Sequence, residues 1–492
     1  MTIDQKITAQ LSFDVSSVPS DLFIGGKWMD GSTGRRIDVI DPSTGAPIAT
    51  VADASIDDAL AAVKAAHEAG PAWAATAPRK RSEILRRCFE LMMERKDMLA
   101  ELISLENGKA LSDAQGEVAY AAEFFRWFSE EAVRLNGEIS TAPSGASKIV
   151  VQQQPIGVCV LVTPWNFPAA MATRKIGPAL AAGCTCVLKP ATETPLTAYA
   201  LAALYAEAGV PDGVVNVITT GRSGATVSAM LHDPRVRKLS FTGSTEVGRK
   251  LLHEAADTVI SCSMELGGNA PFIVFDDADL DAAIEGAMVA KMRNGGEACT
   301  AANRFYVQSG IAPAFCGKLA QRMAALKVGP GYERETQCGP LINQGAVDRI
   351  AALVEDARRR GAQILAGGEP IGQGGFYFPP TVISGVARDA GITGEEIFGP
   401  VAAITTFETE EEAIAAANDT EYGLIAYVYT GDLARGLRIS ERLESGMIGL
   451  NRGLVSDPAA PFGGVKQSGL GREGAHHGIM EFCETKYISV TW

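Results

Sequence analysis

The chain is poor in the features that mark membrane, secreted and nucleic-acid-binding proteins. It contains no run of roughly eighteen uncharged apolar residues, which a membrane-spanning helix requires. Residues 1–5 lack a basic region followed by an apolar core, so no secretory leader is expected. Lysine and arginine number 44 against 58 aspartates and glutamates, and the net charge of −14 disfavours long-range attraction to nucleic acid or an anionic membrane. We therefore expect neither as a partner.

Cysteine and histidine are also sparse and scattered. Among the nine cysteines only Cys184 and Cys186 are near neighbours, and a Cys-X-Cys pair in an apolar, strand-like run does not easily form a bridge. The five histidines form no zinc-ligand pattern with the cysteines, so no metal site is expected. Unpaired cysteines are typical of a reducing compartment. Together with the missing leader they predict a cytoplasmic protein.

The residues that are abundant indicate a large α/β protein. The 492 residues, 47% of them hydrophobic and 21% charged, suffice for about two or three domains with separate cores. Apolar residues recur with helical spacing from 55 to 131, which predicts a mostly helical segment. Strands are then predicted at 157–162, 184–188 and 214–218, with helices at 169–182 and 194–208. This alternation implies a parallel sheet with helical crossovers.

A second α/β unit is predicted after residue 265. Its elements are strands at 271–275, 304–307, 401–407 and 424–429 and helices at 279–292, 312–326 and 346–360. Two extended segments, 148–154 and 485–490, stand apart from both units and are predicted to be isolated ribbons. Because an unpaired strand edge invites pairing with another chain, the two ribbons suggest an element that bridges subunits.

Four short motifs indicate an enzyme. Cys299 lies in residues 294–300, Asn-Gly-Gly-Glu-Ala-Cys-Thr, where small neighbours leave the sulfur approachable in a way that a packed structural cysteine does not need. The other motifs are Pro-Trp-Asn-Phe-Pro at 164–168, Glu-Leu-Gly-Gly-Asn at 265–269 and Glu-Ile-Phe-Gly-Pro at 396–400. In this order the four motifs resemble the aldehyde dehydrogenase superfamily, and the resemblance extends from about Leu22 to Trp492.

The resemblance implies an aldehyde dehydrogenase-like α/β fold with three parts. A Rossmann-type dinucleotide-binding domain would comprise residues 1–134 and 155–264, and an α/β catalytic domain would comprise residues 265–455. A small β oligomerisation element would comprise residues 135–154 and 478–492. The expected assembly is therefore a homodimer or homotetramer.

Cys299, Asn166 and Glu265 are the candidate catalytic residues. By resemblance, the Cys299 thiolate attacks an aldehyde to form a thiohemiacetal and then a thioester, while the Asn166 amide and the Cys299 N–H stabilise the oxyanion. Glu265 is by resemblance the general base that activates water to hydrolyse the thioester. Each residue also has a structural interpretation, as an inert buried thiol, a turn-capping asparagine and a solvated loop charge.

Two glycine-containing segments are candidates for the dinucleotide-binding turn. Residues 469–474 match Gly-x-Gly-x-x-Gly, but no apolar strand precedes them and the 18 residues beyond (492 minus 474) are too few for a βαβ unit. In residues 239–248 a short apolar strand runs into Gly243 and Ser244 and then a helix. Backbone N–H groups and a hydroxyl at a helix start suit a pyrophosphate, so this second segment is the stronger candidate.

Lys189 and Thr192 bear on the choice of cofactor. Lys189 follows the strand 184–188, and the matching lysine of the family reaches the adenosine ribose. NAD-preferring relatives commonly carry a glutamate where this chain has Thr192, so we expect NADP to be preferred and NAD to be accepted as well. Glu193 leaves the cofactor preference open, because the sequence does not determine the direction of the Glu193 side chain. The resemblance implies further cofactor contacts at Trp165, Glu396 and Phe398.

Within the superfamily, segments 417–424 and 460–474 look most like succinate-semialdehyde dehydrogenases. Arg174, Arg304 and Ser456 match that group's clamp for the remote carboxylate, so succinate semialdehyde is the expected substrate. Glutarate semialdehyde, 4-aminobutyraldehyde and a catalytically silent structural role remain alternatives. Two departures from the family pattern matter: Glu297 stands where Gln is frequent, and Ala301 stands where some of these enzymes have a second cysteine for a regulatory disulfide. That disulfide switch is therefore not expected here.

Overall fold

The computed structural model describes residues 11–372 and 374–491. The N-terminal residues 1–5, on which the expectation of no leader was based, lie outside these ranges, as does Trp492. Within them no helix is long and apolar enough to cross a membrane. All nine cysteines are free thiols, and Cys184 and Cys186 are both buried.

The strands of the described ranges are numbered in chain order. They are β1 (Leu22–Ile24), β2 (Lys27–Met29), β3 (Arg36–Asp41), β4 (Ala46–Ala52), β5 (Glu138–Thr141), β6 (Lys148–Pro155), β7 (Val158–Val162), β8 (Thr185–Lys189), β9 (Val215–Val217), β10 (Val236–Thr242), β11 (Ser261–Glu265), β12 (Ala270–Val274), β13 (Ala302–Gln308), β14 (Gln363–Ala366), β15 (Thr381–Ser384), β16 (Val401–Phe407), β17 (Tyr422–Gly423), β18 (Ile425–Tyr429), β19 (Met447–Leu450), β20 (Val465–Lys466), β21 (Gly469–Leu470) and β22 (Cys483–Val490).

The α-helices of the same ranges are numbered likewise. They are α1 (Ile56–Ala74), α2 (Pro78–Glu94), α3 (Lys96–Asn107), α4 (Leu111–Glu131), α5 (Pro168–Ala182), α6 (Pro195–Glu207), α7 (Ser223–Leu231), α8 (Thr245–Ala256), α9 (Leu280–Met292), α10 (Ala312–Ala324), α11 (Gln344–Arg359), α12 (Gly391–Gly394), α13 (Glu410–Asn418), α14 (Leu433–Arg442) and α15 (Ala475–Met480). The predicted helical segment 55–131 is confirmed as α1 to α4.

An eight-stranded sheet contains the first predicted α/β unit. Its order is β2-β1-β9-β8-β7-β10-β11-β21, and strands β7 to β11 run parallel to one another. The strands predicted at 157–162, 184–188 and 214–218 are confirmed as β7, β8 and β9, and the intervening helices as α5 and α6. The central strands β7 and β8 are buried along their whole length, as expected when helices cover both faces of a parallel sheet.

A seven-stranded sheet contains the second predicted unit. Its order is β14-β15-β16-β13-β12-β18-β19, with β12, β13, β16 and β18 parallel. The predicted strands at 271–275, 304–307, 401–407 and 424–429 are confirmed as β12, β13, β16 and β18. The chain passes from the first sheet to the second between β11 and β12, next to residue 265, where the sequence places the boundary between the two units.

A separate three-stranded sheet has the order β22-β6-β5, and its arrangement corrects the expectation of two isolated ribbons. Strand β6 pairs antiparallel with β22 over its whole length, from Lys148 opposite Val490 to Pro155 opposite Cys483. It pairs with β5 on its other side. Each predicted ribbon therefore finds partners within the same chain, and the exposed edges of this sheet are β5 and β22.

Segment 469–474 does not form a βαβ phosphate-binding unit. It begins with the two-residue strand β21, which pairs antiparallel with β11 at the edge of the eight-stranded sheet. The alternative segment 239–248 is formed by β10 running into α8. The strand, turn and helix expected for a phosphate-binding site are thus found at the second candidate.

Candidate active site

A cavity of about 270 Å³ lies between the two large sheets. Its wall is formed by segments that follow β7, β10 and β11 of the first sheet and by segments that precede β13 and β16 of the second. The site residues predicted from sequence that line it are Trp165, Asn166, Arg174, Gly243, Ser244, Cys299, Glu396, Phe398 and Ser456. The predicted residues that lie outside its wall are Lys189, Thr192, Glu265 and Arg304.

The turn that leads to Cys299 is built from left-handed backbone. Asn294, Gly295 and Gly296 have φ angles of 55°, 59° and 82°. A Cβ on Gly296 would overlap the Gly399 carbonyl oxygen, so only glycine permits this close approach. The turn ends at the half-buried Cys299, whose backbone N–H has no acceptor among the described residues. That N–H is therefore available to a ligand in the cavity.

The Cys299 thiol is protonated at neutral pH in this environment. Burial raises its pKa to about 12, although the Arg174 guanidinium lowers it. The carboxylates of Glu396 and Glu265 also raise it. Because the thiolate is the nucleophile, a reaction at this sulfur requires a group that accepts its proton.

Asn166 is held beside the Cys299 turn by a buried hydrogen-bond network. Its side-chain amide donates to the Glu297 carbonyl oxygen at 3.0 Å, which leaves one amide hydrogen for a ligand. The backbone carbonyl oxygen of Asn166 accepts from Lys109 Nζ at 2.7 Å and from Asn294 Nδ2 at 2.9 Å. Two hydrogen-bond donors, the Asn166 amide and the Cys299 N–H, therefore border the same cavity.

A buried ion pair anchors the Asn166 segment from behind. Lys109 Nζ lies 2.5 Å from Glu117 Oε2, and both side chains are fully buried. Glu117 Oε1 accepts from the backbone N–H groups of Ala169 and Ala170 at 2.9 and 3.2 Å. These are N–H groups of the first turn of α5, which have no partner within the helix and favour a carboxylate. The ion pair thus fixes the start of α5, the helix that carries Arg174 into the cavity wall.

Glu265 lies at the carboxyl end of β11, immediately before two residues of the cavity wall, Leu266 and Gly267. Its side chain faces Gly463, where an added Cβ would lie 2.9 Å from Glu265 Oε1. Glu265 Oε2 is buried and has no hydrogen-bond partner among the described residues. The carboxyl group is therefore next to the cavity and retains an oxygen that can accept a proton.

The surroundings of Glu265 raise the affinity of its carboxylate for a proton. Burial raises its pKa well above the usual range, and the Glu473 carboxylate raises it further, against the opposing effect of Arg174 and Lys175. Glu473 itself accepts from Lys175 Nζ at 2.7 Å and from Arg174 Nη1 at 3.3 Å. A carboxylate with a raised pKa binds a proton more tightly, which is the property that a general base needs.

Two of the arginines that line the cavity, Arg174 and Arg293, share one neighbour, Tyr120. Arg174 Nη2 donates to the Tyr120 hydroxyl oxygen at 2.6 Å, and its guanidinium lies 4.1 Å from the Phe462 ring centroid. Arg293 lies 5.7 Å from the Tyr120 ring centroid. All three side chains line the cavity, as do Phe462 and Ser456. Two guanidiniums beside one tyrosine in the cavity wall can bind a carboxylate by charge-assisted hydrogen bonds.

Arg304 is not brought to the cavity, which corrects the expectation that it binds the substrate. It lies on β13 and donates to the carbonyl oxygens of Asn269, Ala416 and Ala417 at 2.9, 3.0 and 2.9 Å. A guanidinium that is buried and bonded to three backbone carbonyls serves to join chain segments. The cationic position in the cavity wall belongs instead to Arg293, six residues before Cys299 (299 minus 293).

The turn after β10 has the geometry of an anion site. Gly243 and Ser244 line the cavity, and Ser244 is the N-cap of α8, accepting from Val247 N at 3.4 Å. The N–H groups of the first helical turn and the helix macrodipole are directed at this point. The residues present therefore fit a phosphate group at the start of α8.

Lys189 ends strand β8, which is separated from β10 by β7 in the same sheet, and Thr192 follows three residues later. Burial lowers the pKa of Lys189 to about 8, with Glu193 raising it in part, and no described residue accepts a hydrogen bond from its ammonium. The Thr192 hydroxyl donates to Glu193 Oε2 at 3.2 Å. The direction of Glu193, which the sequence left open, is thus towards Thr192. An ammonium without a hydrogen-bond acceptor beside a hydroxyl fits a ligand that carries hydroxyl or phosphate oxygens.

Glu396 and Phe398 are held in the wall by Arg349. The Arg349 guanidinium donates to the carbonyl oxygens of Glu396 and Ile397, each at 2.8 Å. Burial raises the pKa of Glu396 to about 7. Phe398 has a left-handed φ of 52°, and its ring meets that of Trp165 edge-on at 5.4 Å. The cavity wall therefore carries a carboxyl group and two aromatic rings in addition to its arginines.

The wall residues that were not predicted from the sequence include one tyrosine and two arginines, namely Tyr120, Arg293 and Arg349. Tyr120 and Arg349 lie on helices far from any motif, and nothing in their local sequence separates them from ordinary helical residues. Arg293 directly precedes the motif at 294–300. A cation adjacent to a candidate nucleophile was therefore the one available signal.

Comparison with known proteins gives a consistent family match. The model of the aldehyde dehydrogenase family matches residues 28–488. A succinate-semialdehyde dehydrogenase of Paenarthrobacter nicotinovorans is 56% identical over 443 residues, covering 90% of this chain and 98% of that protein. A glutarate-semialdehyde dehydrogenase of Pseudomonas putida is 50% identical, covering 95% and 97%. The crystal structure of an NADP-dependent enzyme of Escherichia coli superposes with a TM-score of 0.96 at 48% identity, covering 97% of this chain and 99% of that one.

Proposed function

Because this chain belongs to the aldehyde dehydrogenase family, we propose that it oxidises an aldehyde to a carboxylic acid through a covalent intermediate on Cys299. The Cys299 thiol first loses its proton to solvent, and the thiolate sulfur then bonds to the aldehyde carbon while the carbonyl oxygen becomes an oxyanion. The Asn166 amide and the Cys299 N–H, both free to donate, hold that oxyanion. The single observation that carries the proposal is that these two donors and the thiol border one cavity.

Glu265 supplies the base for the second half of the reaction. A nicotinamide dinucleotide held at the site would supply the hydride acceptor needed to oxidise the thiohemiacetal to a thioester. Water then gives a proton to the Glu265 carboxylate and attacks the thioester carbon. The carbon–sulfur bond breaks, Cys299 leaves as thiolate and the acid is released. The raised pKa of Glu265 supports this role, because such a carboxylate holds the proton it receives.

The chemistry is tested by trapping the intermediate. In Glu265→Gln the acyl group should remain on Cys299, and intact-protein mass spectrometry after one turnover should show the adduct. Cys299→Ala should lose oxidation yet still bind the dinucleotide, because the sulfur does not form the phosphate site. Cys316→Ala, which removes a half-buried thiol on α10, is the control and should keep full activity. Appreciable turnover by Cys299→Ala would exclude the covalent mechanism.

The substrate that the site supports best is succinate semialdehyde. Arg174, Arg293 and Ser456 supply two cations and a hydroxyl for a remote carboxylate. Two of the relatives described above are named for succinate semialdehyde and glutarate semialdehyde. Glutarate semialdehyde is therefore the second candidate. An aminoaldehyde such as 4-aminobutyraldehyde is disfavoured, because its ammonium would face two guanidiniums.

The substrate assignment is tested by comparing succinate semialdehyde with butyraldehyde, which has the same number of carbons and no carboxylate. The ratio of their kcat/KM values should favour the semialdehyde in the wild type and fall in Arg174→Ala and Arg293→Ala. Charge-assisted hydrogen bonds are worth about 1.5–3 kcal/mol, so each variant should lose roughly tenfold or more in this ratio. Arg304→Ala is the matched control: it removes a buried arginine outside the cavity and should leave the ratio unchanged. Equal use of both aldehydes by the wild type contradicts the assignment.

The cofactor we propose is NADP, with NAD accepted less well. Ser244 and the start of α8 would hold the pyrophosphate, Lys189 and Thr192 the adenosine ribose, and Glu396 the nicotinamide ribose. The neutral Thr192 supports NADP, because it places no charge against a 2′-phosphate. The E. coli relative is described as NADP-dependent, which supports the same choice.

We further propose that residues 1–134 and 155–264 form the dinucleotide-binding domain and residues 265–455 the catalytic domain. The separation of the two large sheets at residue 265 supports this division. Residues 135–154 and 478–492 would form the oligomerisation element of a homodimer or homotetramer. The edges of its sheet carry exposed apolar side chains, with Ile139 72% and Tyr487 59% exposed. A cytoplasmic location is supported by the nine free thiols.

A further inference from the structure

We propose that the Tyr120 hydroxyl donates a hydrogen bond to the remote carboxylate of the substrate and so helps to determine specificity. The inference deepens the proposed function and rests on it. Tyr120 lies on α4, well before every motif that carries the chemistry, and its side chain lines the cavity together with Arg174 and Arg293.

The hydrogen-bonding state of Tyr120 leaves its proton free. Arg174 Nη2 donates to the Tyr120 oxygen at 2.6 Å, so in this bond the phenol is the acceptor. A phenol that accepts one hydrogen bond still has its own O–H to donate. Among the described residues no acceptor is bonded to this O–H. The hydroxyl is therefore a donor without an acceptor, in the wall of the cavity and next to a cation.

The position of the Tyr120 ring is fixed from several sides. The Arg174 and Arg293 guanidiniums each lie 5.7 Å from its centroid. The Phe124 ring, one turn along α4, meets it edge-on at 4.9 Å. Two like charges near one ring repel each other and are best satisfied by an anion placed between them. A carboxylate bound between the Arg174 and Arg293 guanidiniums would therefore lie close to the Tyr120 hydroxyl.

The chemistry of the hydroxyl matches that of a carboxylate. A carboxylate has about four lone-pair positions, which two guanidiniums need not fill. The bond from Arg174 also polarises the Tyr120 O–H, and a polarised donor forms a stronger bond to an anion. Glu473 already accepts from Arg174 Nη1 at 3.3 Å, so part of this guanidinium is engaged elsewhere. An added neutral donor raises affinity for the anion without a further charge in the wall.

The test is Tyr120→Phe, which removes the hydroxyl and keeps the ring. We expect kcat/KM for succinate semialdehyde to fall roughly tenfold or more, mainly through a higher KM, because the bond exists in both the ground state and the transition state. The value for butyraldehyde should change by less than about twofold, since a neutral chain end accepts no such bond. Tyr205→Phe is the matched control, because the buried Tyr205 hydroxyl has no partner among the described residues.

A binding measurement keeps the test independent of catalysis. Competitive inhibition by succinate, measured with butyraldehyde as substrate, should weaken by a similar factor in Tyr120→Phe and stay unchanged in Tyr205→Phe. Equal losses for both aldehydes would mean that Tyr120 only shapes the site, and unchanged kinetics and inhibition would mean that it binds nothing; either result overturns the inference. These outcomes leave the proposed function intact when the wild type still prefers succinate semialdehyde. A wild type that does not prefer succinate semialdehyde to butyraldehyde overturns both the proposed substrate and the inference about Tyr120.

Discussion

At the scale of single residues, the Cys299 thiol has a property that can be measured without substrate. Its pKa is raised to about 12 by burial, so below that value the thiolate fraction grows tenfold for each pH unit. We expect the alkylation rate of Cys299 by iodoacetamide in the cofactor-free protein to rise about tenfold per pH unit between pH 7 and pH 9.

Peptide mass spectrometry after timed labelling measures this rate, with Cys316 in the same digest as an internal comparison. Burial also raises the pKa of Cys316, to about 11, so its rate should follow a parallel rise. Arg174→Ala should slow alkylation of Cys299, because the guanidinium lowers the thiol pKa. A rate that levels off below pH 8 would show that the thiol is already ionised in the resting protein.

Thr192 provides a second prediction at this scale, on the cofactor. The wild type should use NADP at least as efficiently as NAD, and Thr192→Glu should shift the ratio of kcat/KM values towards NAD by roughly tenfold or more, since two negative charges would then lie close together. Glu193→Gln is the informative companion. Glu193 accepts from the Thr192 hydroxyl at 3.2 Å, so removing its charge should increase the use of NADP. A wild type that does not use NADP would contradict the assignment.

At the scale of secondary-structure elements, the start of α5 depends on a side chain from α4. Glu117 accepts from two N–H groups of α5 and pairs with Lys109, and both charges are fully buried. Glu117→Gln removes the carboxylate that is hydrogen-bonded to the buried Lys109 ammonium, and breaking a buried pair in this way costs about 3–5 kcal/mol. We expect a clearly lower midpoint of thermal unfolding by calorimetry.

The matched control for this prediction is Glu123→Gln on the same helix. Glu123 pairs with Arg126 across one turn, and its side chain remains 35% exposed. Partly exposed pairs contribute roughly 0–1 kcal/mol, so this variant should unfold close to the wild type. Equal stability of the two variants would show that the buried pair is not what holds α5 at its start.

The pairing of β6 with β22 shows how elements far apart in the chain become neighbours. Each strand was recognisable as extended, but its partner lies more than three hundred residues away, as Lys148 opposite Val490 illustrates. Strand pairing depends on which edge meets which in space. Local sequence does not carry that information, and the isolated ribbons predicted from the sequence were wrong for this reason.

At the scale of the whole molecule, the three-stranded sheet predicts self-association. Exposed apolar side chains at its two edge strands, such as Ile139 and Tyr487, are a liability for a chain that stays alone. We expect a dimer or a dimer of dimers by light scattering at micromolar concentration. The variant Ile139→Lys with Tyr487→Lys should shift the mass downwards, whereas Val259→Lys, on an exposed turn elsewhere, should not. A monomeric wild type contradicts the prediction.

The sequence by itself determined the fold class, the order of the elements and the chemistry of the reacting groups. Alternating strand and helix patterns predicted both large sheets, because hydrophobic periodicity is a local property of the chain. The motifs around Cys299, Asn166 and Glu396 likewise identified residues that line the cavity, because each lies in a connection directly before or after a strand, and the local geometry of that connection depends on its own glycines and prolines.

Only the tertiary structure decided which other side chains reach the cavity. Arg293 and Arg304 lie six and five residues from Cys299 in the chain (299 minus 293, and 304 minus 299), yet one lines the cavity and the other binds backbone carbonyls. Tyr120 reaches the same wall from a helix that has no motif. Side-chain direction follows from the packing of helices and strands that are distant in sequence. The chemistry is therefore encoded locally, whereas the selectivity of the site is a property of the folded molecule.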